Sequence, residues 1–181
     1  MPVDPDFIEL RTERLVIRRF RADDAAAFAA YRSIPDVARY QSWDAYTLAD
    51  AERFAREMAA LHPGDPGEWF QFAAADPGSD ELLGDVALRV DVNDVGRAEL
   101  GFTFAPAHQG KGYATEAVRG VIAYAFDRLE VGTVFAVADA RNDTSIALLE
   151  RIGMRLVLTQ GARFKGEWCE EETYELPRTQ A

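Results

Sequence analysis

Cysteine and histidine are scarce in this chain: one Cys and two His in 181 residues. One thiol cannot build a disulfide framework or a CxxC-type zinc site. No apolar run approaches the length that spans a bilayer, and the first residues lack the basic-then-apolar pattern of a secretion signal. The expectation is a reducing, cytoplasmic setting with no membrane partner. Positive charge is also short, with 20 Lys and Arg against 31 Asp and Glu and a net charge of −11. A binder of the phosphate backbone needs the opposite balance, so no nucleic-acid partner is expected. An acidic surface suits cationic partners, although it serves solubility equally well. Internal repeats, low-complexity tracts and Pro/Gly/Ser linkers are absent, and 48% hydrophobic residues suffice for one well-packed domain.

The hydrophobic pattern divides into strands and helices. Arg14–Phe20 alternates as a strand, and Asp23 or Asp24 can cap a first helix that carries Phe28 and Tyr31. Thr47-Leu-Ala-Asp50 opens a second helix as a capping box in which Asp50 stands for the usual Glu or Gln. Leu48, Ala51, Phe54, Ala55, Met58 and Leu61 form its buried stripe, and His62-Pro63-Gly64 ends it. Strands near Trp69–Ala75, Leu82–Val90 and Arg97–Phe104 are separated by turns at Asp76–Ser79 and Asn93–Gly96. From Ala114 to Leu129 the apolar residues follow a clean helical stripe. A strand, Thr133–Ala138, leads to a short helix capped by Asn142 or Asp143 and stopped at Gly153. Arg155–Gln160 and Trp168–Leu176 are the last strands, flanking a turn that contains Gly161 and Gly166. Seven strands and about four helices in this order predict an α+β fold with a mixed, mostly antiparallel sheet.

The chemistry concentrates in His108-Gln-Gly-Lys-Gly-Tyr-Ala114, between a strand and the striped helix. Free backbone N–H groups and the positive end of a helix dipole make such a loop an anion site, and its glycines let a ligand approach the backbone. A simple glycine turn has the same local pattern. The spacing is neither that of a Walker A loop nor that of a full GxGxxG dinucleotide site.

Gln109-Gly110-Lys111-Gly112-Tyr113-Ala114 matches the Q/R-x-x-G-x-G/A signature of the GNAT acetyltransferases, and the sequence resembles that superfamily well beyond it. Leu10–Arg18 resembles the opening strand of its RimJ/RimL-type branch, and Ala98–Phe102 the strand before the loop. Asn142–Ser145 with Arg151–Met154 resembles that branch's N-x-x-S helix and its ending. Gly166–Trp168, Tyr174 and Leu176 resemble the closing strand. The resemblance covers residues 7–178 and implies a single GNAT domain with helices on both faces of the sheet. It implies acetyl-CoA as co-substrate, with its pantetheine arm in an opening between two splayed strands. Phe102, Thr103 and Phe104 would lie beside that arm. Gln109, Gly110, Lys111, Gly112, Tyr113, Ala114 and Thr115 would take the phosphates, and Asn142 would contact the pantetheine. Lys111 also reads as a solvated loop lysine.

The implied reaction is acetyl transfer to a primary amine by direct attack in a ternary complex. A base must free the amine of its proton, and the departing thiolate benefits from a donor. Glu99 is the candidate base, on one strand face with Gly101 and Thr103, and a structural carboxylate is its alternative. Ser145 is the candidate donor or water holder. Both Asn142 and Ser145 serve equally as helix caps. Leu149 occupies the position where many superfamily members carry a tyrosine acid. His108 reads as a loop residue, and acidic neighbours make Cys169 a poor nucleophile. No metal ligands are expected. Tyr40, Trp43 and Trp168 are candidate acceptor contacts through cation–π attraction, with packing as their alternative. The acceptor is a protein N-terminal α-amine or a small cationic amine. Dimers are common in this branch. The rival reading is a non-catalytic acyl-CoA-binding module.

Overall fold

Thr47 begins a helix because its hydroxyl accepts from the Asp50 amide while the Asp50 carboxylate accepts from the Thr47 amide, at 3.2 and 2.9 Å. This reciprocal cap opens α3 (Leu48–Ala59), one of five helices in the computed structural model, which describes residues 3–94 and 96–180. Ala51, Ala55 and Met58 are buried as the stripe predicts, but Leu48 is 51% exposed because it sits in the first turn, beyond the edge of the sheet-facing stripe. The other helices are α1 (Ala25–Arg32), α2 (Pro35–Ala38), α4 (Tyr113–Asp127) and α5 (Asp143–Arg151). Asp24 precedes α1 without capping it through its side chain. Its carboxylate instead takes two hydrogen bonds from the buried Arg18 guanidinium, at 2.8 and 2.9 Å.

Eight strands form one sheet: β1 (Glu9–Arg11), β2 (Val16–Arg19), β3 (Trp69–Ala75), β4 (Leu82–Val90), β5 (Arg97–Phe104), β6 (Thr133–Asp139), β7 (Arg155–Phe164) and β8 (Glu167–Pro177). Their spatial order is β1-β2-β3-β4-β5-β6-β8-β7, and all pairs are antiparallel except β5 with β6. The expected seven strands become eight because the three-residue β1 pairs with β2. The expected four helices become five through the single turn α2. The turn at Asp76–Ser79 forms as predicted, with the Asp76 carboxylate accepting from the amides of Gly78 and Ser79. That predicted at Asn93–Gly96 includes Val95, which lies outside the described residues.

Helices cover both sheet faces. On one, Tyr124 of α4 meets Phe72 of β3, and Phe7 packs edge-on against both rings. Ala117, Val118, Val121, Ile122, Ala125 and Phe126 of α4 are all buried there. Burial stabilises each large side chain by roughly 1.5–3 kcal/mol. On the other face, α1 and α3 stack Phe28 on Phe54 with ring centroids 4.8 Å apart. Beneath them lies a buried polar cluster: Asp85 of β4 accepts from Tyr31, Gln71 and, at 3.2 Å, Arg32.

Candidate active site

The parallel ladder between β5 and β6 is short. It runs from Arg97 opposite Thr133 to Glu99 opposite Phe135 and then stops, while β5 continues to Phe104 and β6 to Asp139. The strands part, and the β6-facing edge of Leu100–Phe104 keeps backbone donors and acceptors free of a ladder partner. Gly84 secures the end of β5 from the other side. A Cβ at Gly84 would meet the Phe104 ring at 2.5 Å, so only glycine lets that ring lie flat on β4.

The chain leaves β5 through a 3-10 turn and the glycine loop. The Gln109 amide group reaches back to donate to the Phe104 carbonyl at 2.8 Å, tying loop to strand. Gly110 and Gly112 have φ of +71° and +83°, in the left-handed region that favours glycine. Gly112 is the N-cap of α4 and supplies no side chain to cap it. By contrast, Thr47 caps α3, and Asn142 caps α5 by accepting from the Ser145 amide at 3.3 Å. Among the described residues, the amides of Gly110, Lys111 and Gly112 have no protein acceptor. The first-turn amides of α4 also lack an intrahelical one. A row of N–H groups thus converges at the positive end of a helix dipole.

This row opens on a cleft of about 1100 Å³ that continues into the strand opening and along the groove between α4 and α5. Phe102, Thr103, Phe104, Gln109, Gly110, Gly112, Ala114, Thr115, Asn142 and Ser145 all line it, as does His108. Two other residues expected at the cofactor do not. The Lys111 side chain is exposed, and only its carbonyl is engaged, by Arg14 at 2.9 Å. The Tyr113 ring packs under the Arg14 guanidinium, 4.7 Å away. Arg14 also binds Glu116 through its amide and Nε, each at 2.7 Å. Partial burial pushes the Glu116 carboxyl up, but hydrogen bonds from Thr12 and Arg14 outweigh it and bring its pKa below the ordinary value.

A smaller pocket of about 330 Å³ lies across the opening, lined by Tyr40, Glu99, Val137, Ala138, Asp139, Phe164, Cys169 and Glu171. Tyr40 borders both cavities, and its hydroxyl donates to the Arg141 carbonyl at 3.2 Å. Glu99 is held by Arg89 at 2.5 Å. Partial desolvation, then the charges of Asp139 and Glu171, push the Cys169 thiol up, against a thiolate role. The roof comes from the β7–β8 hairpin: Lys165 donates to the carbonyls of Ala38 and Trp43, at 2.8 and 2.7 Å, and pairs with Asp44 at 2.7 Å. Trp43 and Trp168 line neither cavity. Trp43 donates to the Arg32 carbonyl and stacks 3.8 Å from its guanidinium, while Trp168 is 72% exposed beside Arg163.

Residues 14–155 match the family model of the acetyltransferase (GNAT) domain. The chain belongs to the GNAT acetyltransferase family. An N-acetyltransferase of Bacillus licheniformis named p20, itself uncharacterized, is 31% identical over 148 residues, spanning 81% of this chain and 82% of that one. The crystal structure of a GNAT-family acetyltransferase from Bacillus anthracis superposes with a TM-score of 0.84 at 26% identity, covering 94% and 98% of the two chains. A spermidine N-acetyltransferase from Vibrio cholerae, solved with CoA and spermine, shares the fold at a TM-score of 0.79 and 18% identity, over 93% and 98%.

GNAT acetyltransferases use acetyl-CoA as co-substrate, and this chain is such an enzyme. The unpaired amides, the open strand edge and the cleft's length suit a ligand with a diphosphate and an amide-bearing arm. Several lining residues escaped the sequence reading. Asp36 and Val37 belong to α2, too short to leave a periodic signal. Arg119 lies outside the apolar stripe of α4, and Arg151 entered only within the helix-ending motif. Asp139 and Glu171 share a pocket only through the β6–β8 register, in which they are direct partners.

Proposed function

We propose that this GNAT enzyme acetylates a primary amine that enters through the smaller pocket and meets the acetyl group at the strand opening. The observation that carries this reading is that Tyr40 borders both cavities, so the acid-lined pocket and the cofactor cleft share one wall. Bound acetyl-CoA supplies the thioester electrophile. The amides of Gly110, Gly112 and Ala114 would hold its diphosphate, Phe102–Phe104 would pair with its arm through the backbone, and Asn142 would contact the arm. Glu99, fixed by Arg89, takes the amine's proton directly or through water, and Ser145 donates toward the departing sulfur.

The pocket is lined by the carboxylates of Glu99, Asp139 and Glu171 and by the rings of Tyr40 and Phe164; Glu99 is paired with Arg89 and Asp139 with Arg141, which leaves Glu171 without an ion pair among the described residues. That chemistry favours a small cationic amine or a protein N-terminal α-amine. The RimJ/RimL-type branch is part of the same reading. Ser145 fits its serine position, and Leu149, where other members carry a tyrosine, is 1% exposed and packed in the core. A cytoplasmic setting and a homodimer accompany that branch.

The test is Glu99→Gln. A base contributes to the transition state and not to cofactor affinity, so kcat should fall by about 10²–10⁴ with the acetyl-CoA Kd changed less than twofold. Equal losses in both would sink the assignment.

A further inference from the structure

Coenzyme A bears a diphosphate and, on its ribose, a separate 3′-phosphomonoester. The loop amides account for the first. Three arginines line the cleft: Arg14, Arg119 and Arg151. Arg14 is committed to Glu116, to the Lys111 carbonyl and to the Tyr113 ring. Arg119 and Arg151 differ. Neither has a carboxylate within ion-pairing distance among the described residues, although the chain carries 31 acidic residues. Among the described residues their partners are neutral: Arg119 donates to the Arg151 carbonyl at 3.1 Å, and Arg151 to the Thr115 hydroxyl at 3.4 Å.

These two bonds set the guanidinium of Arg151 over the first turn of α4 and draw Arg119, one turn further on, toward the end of α5. Two like charges are thereby held at one end of the cleft, past the loop amides, with most of their N–H donors free. Resting on the cofactor assignment above, we propose that Arg119 and Arg151 form a clamp for the 3′-phosphate and that this enzyme discriminates CoA esters from their 3′-dephospho counterparts. A dianionic phosphomonoester fits better than a second diphosphate contact. It accepts several charge-assisted hydrogen bonds from two guanidinium forks and relieves their mutual repulsion.

The experiment is calorimetric titration of the intact protein with acetyl-CoA and with 3′-dephospho-acetyl-CoA, for the natural chain, Arg119→Gln, Arg151→Gln and the double variant. Both side chains are solvent-exposed, so the variants should fold, and their melting temperatures check this. The natural chain should bind the dephospho ligand about 10–100-fold more weakly. Each single variant should narrow that gap, and the double variant should bind both ligands alike, at the natural chain's affinity for the dephospho form. Equal affinity of the natural chain for both ligands would overturn the clamp. So would variants that weaken both ligands by one factor, because the arginines would then serve the diphosphate. Failure of both ligands to bind at all would instead refute the cofactor assignment on which the clamp rests.

Discussion

Asp85 and Arg32 allow a test whose outcome is a change of sign. Asp85 is fully buried and Arg32 is 6% exposed. Their contact at 3.2 Å is flanked by the Tyr31 hydroxyl and the Gln71 amide, both donating to Asp85. The guanidinium is also sandwiched by Trp43 at 3.8 Å and Phe28 at 4.1 Å, and its Nε has no partner. Asp85→Ala strips the counter-ion from a cation that water cannot reach. Breaking a buried pair in this way costs about 3–5 kcal/mol. Against a total stability of about 5–15 kcal/mol, that is a large fraction. For a domain of this size it lowers Tm by about 6–20 °C. Arg32→Met in the natural background is destabilising, because it leaves Asp85 without its cation. In the Asp85→Ala background the same change removes an orphaned buried charge and should stabilise, by about 2 kcal/mol. Urea denaturation followed by tryptophan fluorescence measures all four corners of the cycle. If Arg32→Met has the same sign in both backgrounds, or Asp85→Ala costs under about 1 kcal/mol, the ion pair is not what holds α1 to the sheet.

Gly84→Ala would place a methyl group 2.5 Å from the Phe104 ring and 2.7 Å from the Thr103 carbonyl. The end of β5 must move, at a cost of about 1–3 kcal/mol, and the KM for acetyl-CoA should rise several-fold; an unchanged KM would separate this strand end from the cofactor. Lys165→Met releases the hairpin from the carbonyls of Ala38 and Trp43. Steady-state kinetics should show a higher acceptor KM with the acetyl-CoA Kd unaltered, whereas a shift in the Kd alone would place the hairpin's role elsewhere. The Asp50 carboxyl is lowered to about 2 by hydrogen bonds from Thr47 and Arg53. A depressed carboxyl contributes stability above its unfolded value near 3.8 and loses it as pH falls toward 2. Asp50→Asn should therefore flatten the pH dependence of Tm between pH 4 and 2, and an unaltered slope would show that this cap does not titrate.

The sequence reading succeeded where local chemistry decides the outcome. Strands β3, β4 and β5 have the predicted bounds because polar turn residues punctuate strongly apolar runs. β7 runs past its predicted end at Gln160 because Gly161 looked like a turn residue. The actual turn is at Lys165 and Gly166, where φ is +50° and +83°. Within the site, the loop was legible from its glycines and the helix that follows. For Trp43 the packing alternative holds, since it stacks on the buried Arg32, a contact that the sequence around it does not signal. The acid-lined pocket depends on register across three strands, which no local pattern encodes.

Many of this chain's polar groups find partners within the fold. Thr47 and Asn142 cap their helices, Arg18 is shared between Asp24 and Asp80, and Arg32 has Asp85. Three sets of unmet groups nevertheless share one place. The uncapped start of α4, the unpaired edge of β5 and two arginines without counter-ions all open onto one cleft. Unmet donors that converge on one elongated cavity match the ligand proposed for it: amide-rich in its arm, doubly anionic in its middle and charged again at its end.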